Sequence, residues 1–458
     1  ALRVIVKSTK HNNKECVLMS FTLQQKPLMF NSQKKISIAN DGGALTNDAG
    51  MVLVAEFLKK IHFDQLLNER IYINDGRKFS HHSWLEILKQ WLYQLIAGYS
   101  RDRDANKVQY DRLFQEALQQ ENLSSQSMLS TFLHTLTTEN VSQLSQVAKD
   151  LADLWLDHDN TQHLVLDFDS TACPTYGEQE EAEFIYHYGI NGYHPFVTFE
   201  GLTGLALDVR HRHGKSYTST HAEDYLEEML DRYQQRSSDP LIMVRGDSGF
   251  AKPEIFSHCE DRQVRYVIKL KSNARLLDHI QHQVLYQDDT DYTKTEQQYF
   301  LMDYRANKWR QSRRVAMKAT RLAGSLLFSD FQFIVTNFEN LDPKTIFQLY
   351  QKRGNMENFI KEMKGGFFAE KTDSASFTAN QARLALSFMA YNIIHLMKHL
   401  TFPSTEKATV IDTIRFKLFH IAGRMTAHAR QIQIHLSNTN VYDTLFWDVL
   451  ARIQRLNL

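Results

Sequence analysis

The N-terminal third of the chain shows a helical pattern of hydrophobic positions. Between Thr46 and about Leu136, apolar residues recur every three or four positions, as they do on one face of an α-helix. This spacing predicts a helical domain over residues 41–160, for which DNA binding or dimerisation is the expected role. The preceding residues, 1–40, are mostly polar and lack periodicity, so we expect a flexible N-terminal arm there.

From about residue 161 to 275, short β-rich runs alternate with helical stretches. The runs of strand length are HLVLDFD, HPFVTFE, GLALDVR, PLIMVRGD and RYVIKL. The helical stretches between the last three of them are HAEDYLEEMLDRYQQ and KPEIFSHCEDR. Three strands followed by alternating helix and strand predict an α/β fold in which helices cover a mixed sheet.

The alternation breaks in residues 276–340. Runs such as QQYFLMDYRA and DFQFIVTNF are polar and rich in aromatic residues, which predicts a β-rich insertion. A long helix over about 342–364 and an apolar helix from Thr378 to about Leu400 then return the chain to the core, over residues 341–400. The remaining residues, 401–458, are predicted to form a basic region of helix and strand.

Composition excludes several classes of protein. The chain has 458 residues, of which 43% are hydrophobic, and only 18 Gly and 7 Pro, which is typical of an ordinary globular protein. Lysine plus arginine and aspartate plus glutamate both total 53, so nucleic-acid binding would depend on local basic patches. Three separated cysteines argue against a disulfide framework, and no apolar run is long enough to span a bilayer. A cytoplasmic protein without membrane contact is therefore expected.

Carboxylates stand at the ends of two predicted strands. In LVLDFDST, Asp167 and Asp169 share one face of a strand, and Asp169 is at its exit. In PLIMVRGDSGF, four apolar residues lead to Asp247 at the carboxyl end of another strand, where ligands gather in open α/β sheets. A capping or turn-forming role is the alternative for each aspartate.

A stripe of polar residues follows the long helix. Tyr350, Arg353, Glu357 and Lys364 lie at offsets of three, seven and fourteen residues, so they return to nearly the same helical face. A solvent-exposed charged face would explain the charges without requiring a tyrosine in the stripe. The pattern therefore favours a functional role for these side chains.

Together these segments resemble the DDE transposases of bacterial insertion sequences. The stripe fills every position of the Y-x2-R-x3-E-x6-K signature of one branch of that family. The block DFDSTACPTYGEQEEAEFIYHYGINGYHPFVTF and the block RGDSGF are similar to the family's first and second aspartate blocks. The resemblance is strong over residues 163–365 and weak on either side.

The resemblance implies a ribonuclease-H-like core and a catalytic set of Asp169, Asp247 and Glu357. Asp167 is kept as an alternative first ligand, and Asp169 is preferred because Ser170 and Thr171 follow it, as the family pattern requires. Phosphoryl transfer by such a set uses two Mg²⁺ ions, for which Mn²⁺ can substitute. The implied partner is double-stranded DNA, both the transposon end and the target. The resemblance also implies that the protein binds this DNA as a homodimer and that it is cytoplasmic and nucleoid-associated.

Basic and aromatic residues supply candidate DNA contacts. Arg353 and Lys364 are suited to binding phosphates on either side of the scissile bond, and the hydroxyl of Tyr350 can donate a hydrogen bond to the DNA backbone. In the insertion, the candidate contacts are Trp309, Arg310, Arg313 and Arg314. Trp309 either stacks on a base flipped from the cut strand or packs inside the insertion against Leu326, Phe328 and Phe333.

The sequence leaves two alternative functions. One is a ribonuclease-H-like nuclease or resolvase that cleaves DNA without strand transfer. The other is a DNA-binding protein descended from a transposase that no longer catalyses, which the intact carboxylates of all three blocks disfavour. The preferred function is that of a transposase, which binds the terminal inverted repeats, cleaves DNA at the element ends and joins them to target DNA.

Overall fold

The computed structural model describes residues 41–160, 162–236, 241–286, 291–429 and 431–457. The predicted N-terminal arm, residues 1–40, lies outside the described residues. Residues of the first described range form a short strand, β1 (Leu45–Thr46), and a series of helices: α1 (Val52–Lys60), α2 (Phe63–Arg70), α3 (Trp84–Ala97), α4 (Ala105–Val108), α5 (Arg112–Leu118), α6 (Gln126–Thr135) and α7 (Thr138–His158).

Local sequence signals explain where the central helix of this region begins and ends. Before α3, Ser83 and Glu86 form a reciprocal capping box, which pairs backbone N–H groups at the first turn. After α3, Gly98 adopts a left-handed conformation with φ of 96°, which a glycine accommodates without steric cost. The apolar residues between these signals are buried, as the helical periodicity predicts.

A mixed sheet of eight strands forms the centre of the molecule. Its strands in chain order are β2 (His163–Ser170), β6 (Phe196–Glu200), β7 (Ala206–Arg210), β8 (Leu241–Gly246), β9 (Arg265–Leu270), β10 (Glu296–Tyr304), β11 (Arg313–Arg321) and β12 (Asp330–Thr336). Across the sheet the order is β10-β11-β12-β9-β8-β2-β6-β7. The helices α8 (Ala222–Gln234), α9 (Pro253–Asp261) and α10 (Ala274–Gln283) connect its strands.

The strand directions are those of a ribonuclease-H-like fold. Strands β2, β6 and β7 are neighbours in the sheet and antiparallel, whereas β8 and β9 run parallel to β2 on its other side. The α/β class, and the order of three strands followed by alternating helix and strand, are confirmed. Because β2 lies between β6 and β8, it is an interior strand of the sheet.

The β-rich segment continues the central sheet instead of standing apart from it. Strand β12 pairs with β9 in antiparallel fashion, and β11 and β10 extend the sheet beyond it. Strand β11 lies inside this extended sheet, and each of its residues except Arg314 is buried. The predicted β-rich segment, 276–340, thus contributes three strands to one side of the core sheet.

A small second sheet interrupts the chain between β2 and β6. It consists of β3 (Cys173–Pro174), β4 (Glu183–Ile185) and β5 (Ile190–Tyr193), in the order β3-β5-β4. Its strands have two to four residues, too short for a period-two pattern to stand out in the sequence. This sheet lies next to the end of β2, where the carboxylates are.

The predicted long helix is helical throughout but irregular. It comprises α11 (Pro343–Gln351), a 3₁₀ turn (Lys352–Gly354), α12 (Asn355–Lys361) and a π-helical turn (Glu362–Gly366). Helix α13 (Phe377–Thr401) follows and is buried along nearly its whole length. Asn392 of α13 bonds backbone atoms of Ala148 and Ala206, which fixes this helix between α7 and the edge strand β7.

The C-terminal residues pack against the N-terminal helices. They form α14 (Ile411–Ile414), a π-helical turn (Arg415–Phe419), β13 (Gly423–His428), β14 (Gln431–Leu436) and α15 (Asp443–Arg455). Strand β13 pairs with β1, and one hydrophobic core includes residues from Ala49 to Ile453. Within the described part of the chain, none of the helices combines the length and apolar character needed to cross a membrane.

Candidate active site

Two aspartates stand side by side where neighbouring parallel strands end. The parallel pairing of the two strands ends with Phe168 of β2 opposite Gly246 of β8, so the next residues, Asp169 and Asp247, lie at the same level of the sheet. Each carboxylate accepts one local backbone N–H: Asp169 Oδ1 from Ser170 and Asp247 Oδ1 from Gly249, both at 2.8 Å. These bonds fix both carboxylates and leave a second oxygen of each without a local backbone partner.

The surroundings of Asp169 make its negative charge costly. Burial is the main cause that raises the pKa of Asp169, and the nearby charge of Asp247 adds to it. The guanidinium of Arg353 acts in the opposite direction and lies 2.9 Å from Asp169 Oδ2. The site therefore concentrates negative charge that a cationic group partly neutralises.

Asp167, the alternative first ligand, is engaged elsewhere. It is fully buried, and Arg245, directly opposite on β8, donates to both of its oxygens at 2.5 Å. A third guanidinium bond goes to the backbone carbonyl of Leu349 at the end of α11. Asp167 therefore forms a structural ion pair and is excluded as the first metal ligand.

A glycine makes room for this ion pair. A Cβ added at Gly201, after β6, would clash with Nη2 of Arg245 and Oδ2 of Asp167. Gly201 donates its N–H to the carbonyl of Val165 at 2.8 Å, which holds the backbone close to β2. The buried pair and the small residue beside it form one packing arrangement.

The helical stripe is attached to the end of β2 at two points. Arg353 is buried and donates to the carbonyl of Phe168 at 3.0 Å as well as contacting Asp169. Lys364 Nζ donates to the carbonyl of Ala172 at 2.7 Å and lies 3.4 Å from a carboxylate oxygen of Glu370. Both cationic residues of the predicted stripe therefore face the carboxylates' strand.

Tyr350 lies close to the same charges. Burial is the main cause that raises the pKa of its hydroxyl, and the carboxylates of Asp247 and Asp169 also raise it. Arg353 acts in the opposite direction. The first two residues of the signature, Tyr350 and Arg353, thus border the paired aspartates.

Glu357 occupies a different position. It is exposed on α12, between Arg353 and Lys364 in the chain. Among the residues that the structure describes, no three His, Cys, Asp or Glu side chains are arranged to hold a metal ion. The structure brings Asp169 and Asp247 together and leaves Glu357 outside a three-ligand cluster.

The expected stacking role of Trp309 is wrong. Its side chain is only 5% exposed and packs edge-on against Phe256 and Tyr304, with the Arg313 guanidinium 5.5 Å from its ring centre. The alternative, burial, is right, although these aromatic contacts differ from the expected ones. Trp309 contributes to the core below the extended sheet because the segment around it packs on α9.

The basic residues beside Trp309 divide into buried and accessible ones. Arg313 is buried and donates to both carboxylate oxygens of Glu260, at 2.7 and 2.9 Å, so its guanidinium is engaged within the protein. Arg314 is half-buried and donates to the carbonyls of Phe338 and Glu339. Arg310 is exposed, and its DNA contact stays a prediction.

Two residues next to the aspartates escaped the sequence analysis. Tyr188 donates its hydroxyl to the carbonyl of Ser170 at 3.1 Å, and burial together with the charges of Asp169 and Asp247 raises its pKa to about 12. His194 lies 2.9 Å from Ser170 Oγ through Nε2 and 2.7 Å from the carbonyl of Ser216 through Nδ1. Both residues belong to the first aspartate block, but nothing in their spacing indicates these contacts.

Comparisons with known proteins and protein families show what the chain is similar to. No curated protein matches the chain. Among solved structures, it is similar to a piggyBac transposase seen by cryo-EM in a synaptic complex with hairpin DNA, with 11% sequence identity and a TM-score of 0.43 over 81% of this chain and 79% of that chain. The family described as "Transposase DDE domain group 1" matches residues 28–458. Since this match covers nearly the whole sequence, the chain belongs to the DDE transposase family.

Proposed function

We propose that this transposase binds the ends of its own mobile element, cuts the DNA there and joins the cut ends to target DNA by metal-assisted phosphoryl transfer. One observation carries the proposal: Asp169 and Asp247 lie at the same level, directly after the last paired residues of adjacent parallel strands, and Arg353, from the helix of Glu357, binds Asp169. Partly buried carboxylates that lie close together beside a cationic group are typical of functional sites.

The oxygen donors of the two paired aspartates fit divalent magnesium. Carboxylate oxygens are the ligands that Mg²⁺ prefers, and Asp169 Oδ2 already binds a positive group. We assign Asp169, Asp247 and Glu357 as the residues that would hold two Mg²⁺ ions, for which Mn²⁺ would substitute. When bound, such ions supply an activated oxygen nucleophile and neutralise charge on the phosphate.

The cationic residues of the helix would position the DNA backbone. Arg353 and Lys364 are anchored by carbonyls of β2 and of the segment after it, so their charges stay near the carboxylates. A guanidinium can bind a phosphate through two hydrogen bonds, and an ammonium acts as a point charge. Tyr350 adds a hydroxyl at the same edge, and the exposed Arg310 would contact backbone further along the duplex.

The decisive experiment uses labelled DNA that carries the ends of the element encoding this chain, with Mg²⁺. Asp169→Ala, Asp247→Ala and Glu357→Ala are each expected to abolish cleavage while end binding stays nearly intact, because carboxylates repel phosphate unless a metal intervenes. Asp303→Asn, a change at an exposed acid of the outermost strand β10, serves as the matched control and should cleave normally.

The products separate the possible functions. Nicking followed by joining supports the proposed transposition reaction, whereas nicking alone indicates a nuclease or resolvase. Binding without nicking indicates a DNA-binding protein that no longer catalyses. If all three alanine variants lose DNA binding instead of cleavage, these residues have a structural role and the assignment fails.

A further inference from the structure

Exposed aromatic side chains border a cleft that contains Asp247. Phe184, Tyr186 and Tyr217, here called the aromatic rim, are 44%, 85% and 63% exposed, respectively. With Asp247, Ser248 and Gly249 they line a cleft of about 400 Å³. Large aromatic side chains are usually buried, and a group of exposed ones beside an active-site residue indicates a binding surface.

The backbone that presents Tyr217 is held firmly. The buried guanidinium of Arg212 donates through Nη1 to the carbonyls of Tyr217, Thr218 and Thr220, at 3.4, 3.2 and 2.9 Å. Thr218 also lies against the Asp247 turn, since a Cβ added at Gly249 would be 3.0 Å from Thr218 Cγ2. The exposure of the Tyr217 ring is therefore not the result of a loose loop.

The other part of the rim lies at the tip of the β4–β5 hairpin. Phe184 and Tyr186 pack edge-to-face with ring centres 5.2 Å apart, and Tyr186 stays largely exposed. At the same tip, the hydroxyl of Tyr188 is bonded to the carbonyl of Ser170, next to Asp169. The small sheet thus places exposed rings at a fixed position relative to both aspartates.

Positive charges accompany the rings. The Lys252 ammonium lies 6.0 Å from the centre of the Tyr217 ring, and the exposed Lys271 lines the cleft. Lys215 also lines it, although its ammonium is paired with Glu183 at 2.6 Å. Flat rings that receive bases and lysines that contact phosphates are the combination that binds single-stranded nucleic acid.

We propose that the aromatic rim binds unpaired nucleotides of the DNA strand beside Asp247, with bases stacked on Tyr186 and Tyr217. The inference rests on the proposed function, because it assigns the form of DNA that the same site takes. A base in a paired duplex is stacked on its neighbours and offers no free face, so the rim selects strand that has left the helix. Trp309, being buried, cannot provide this surface.

The test compares two labelled DNAs without divalent metal: a duplex with a ten-nucleotide unpaired arm, and the fully paired duplex of the same sequence. Fluorescence anisotropy is expected to show that the protein prefers the forked DNA. Tyr186→Ala and Tyr217→Ala should each weaken forked-DNA binding by roughly 10- to 100-fold and leave duplex binding unchanged. Tyr186→Phe and Tyr217→Phe keep the ring and should bind as the wild type does. Tyr72→Ala is the control, since that tyrosine is 75% exposed on the N-terminal region.

Other outcomes overturn the inference. Equal losses for both DNAs, or no loss in either alanine variant, would show that the rim does not recognise unpaired strand. A change in sedimentation coefficient on Tyr186→Ala, without a change in forked-DNA binding, would identify a contact between copies of the chain. If cleavage still depends on Asp247 while the rim variants bind normally, only this inference fails. If the wild type binds neither DNA, the proposed function fails with it.

Discussion

At the residue scale, the buried ion pair of Asp167 and Arg245 predicts a large effect of mutation on the free energy of unfolding. Removing one partner leaves an uncompensated charge inside the sheet, which costs about 3–5 kcal/mol. Asp167→Ala is therefore expected to lower the free energy of unfolding by about that amount, measured by urea denaturation. Asp169→Asn should change stability much less, because the Asp169 side chain is partly accessible.

A double replacement provides the control. Asp167→Leu combined with Arg245→Met removes both charges and should recover most of the stability lost in Asp167→Ala. The contrary result is a stable Asp167→Ala variant that binds DNA normally and fails to cleave it. Such a variant would return Asp167 to the catalytic set.

The sequence could not decide between Asp167 and Asp169. Strand alternation places both on one face, and only the register between β2 and β8 shows that Arg245 stands opposite the first of them. That register depends on contacts between segments about eighty positions apart, which a local pattern does not contain. The family pattern pointed to Asp169, and the ion pair excludes Asp167.

A second residue-scale prediction concerns pH. His211 packs between Tyr193 and Phe377, with ring centres 4.4 and 4.7 Å away and tilted ring planes, and burial, helped by His213, lowers its pKa to about 3. Because the folded state holds this histidine neutral, its contribution to stability is full above the unfolded pKa of about 6.5 and is lost as pH falls towards 3.

The free energy of unfolding should therefore fall by up to about 1.4 kcal/mol for each pH unit in that window through this group. His211→Phe fills the same aromatic stack without a titrating group and should reduce the slope by that amount. Urea denaturation at several pH values measures it, with His279→Gln, at an exposed histidine, as control. An unchanged slope in His211→Phe would assign the acid sensitivity to other groups.

At the scale of elements, the helix that follows β12 shows what periodicity can and cannot predict. Its extent and the position of its polar stripe follow from the sequence, since Arg353 and Lys364 both reach the segment around Asp169. The 3₁₀ turn before α12 and the π-helical turn after it cannot be predicted from the periodicity, because they alter the rotation per residue. The exposed position of Glu357 on α12 is likewise a matter of tertiary packing.

This helix also carries a quantitative expectation for DNA binding. If Arg353 and Lys364 contact phosphates, alanine at either position removes about one charge contact and lowers the slope of log affinity against log salt by about 0.9. Binding measured between low and physiological salt gives this slope. Lys344→Ala, an exposed change on α11, should leave the slope as it is. If Arg353→Ala and Lys364→Ala give the same slope as Lys344→Ala, the polar stripe has a structural role and does not contact phosphates.

At the scale of the whole molecule, regions that the sequence separates share one core. Residues from α1 to α7, α13 and the C-terminal elements contribute to the same hydrophobic cluster. Strand β1 pairs with β13, although 377 positions separate Thr46 and Gly423. Periodicity shows which face of an element is apolar but not its partner, so the boundaries predicted at 41–160 and 401–458 remain predictions about sequence segments.

Arg415 joins three of these regions and makes the shared core testable. Buried after α14, it donates to the carbonyls of Leu95 and Ile96 in α3 at 2.7 and 2.8 Å, and to Gly366 after α12 at 2.7 Å. Arg415→Ala leaves these acceptors without their partner and should lower the free energy of unfolding by about 3 kcal/mol. Lys417→Ala, which breaks a half-exposed pair with Glu406 in the same turn, should cost at most about 1 kcal/mol.

Calorimetry should show the N-terminal helices and the central sheet unfolding in one transition in the wild type, and that transition moving as a whole in Arg415→Ala. Two separate transitions, of which Arg415→Ala shifts only one, would show instead that the N-terminal helices are an independent domain.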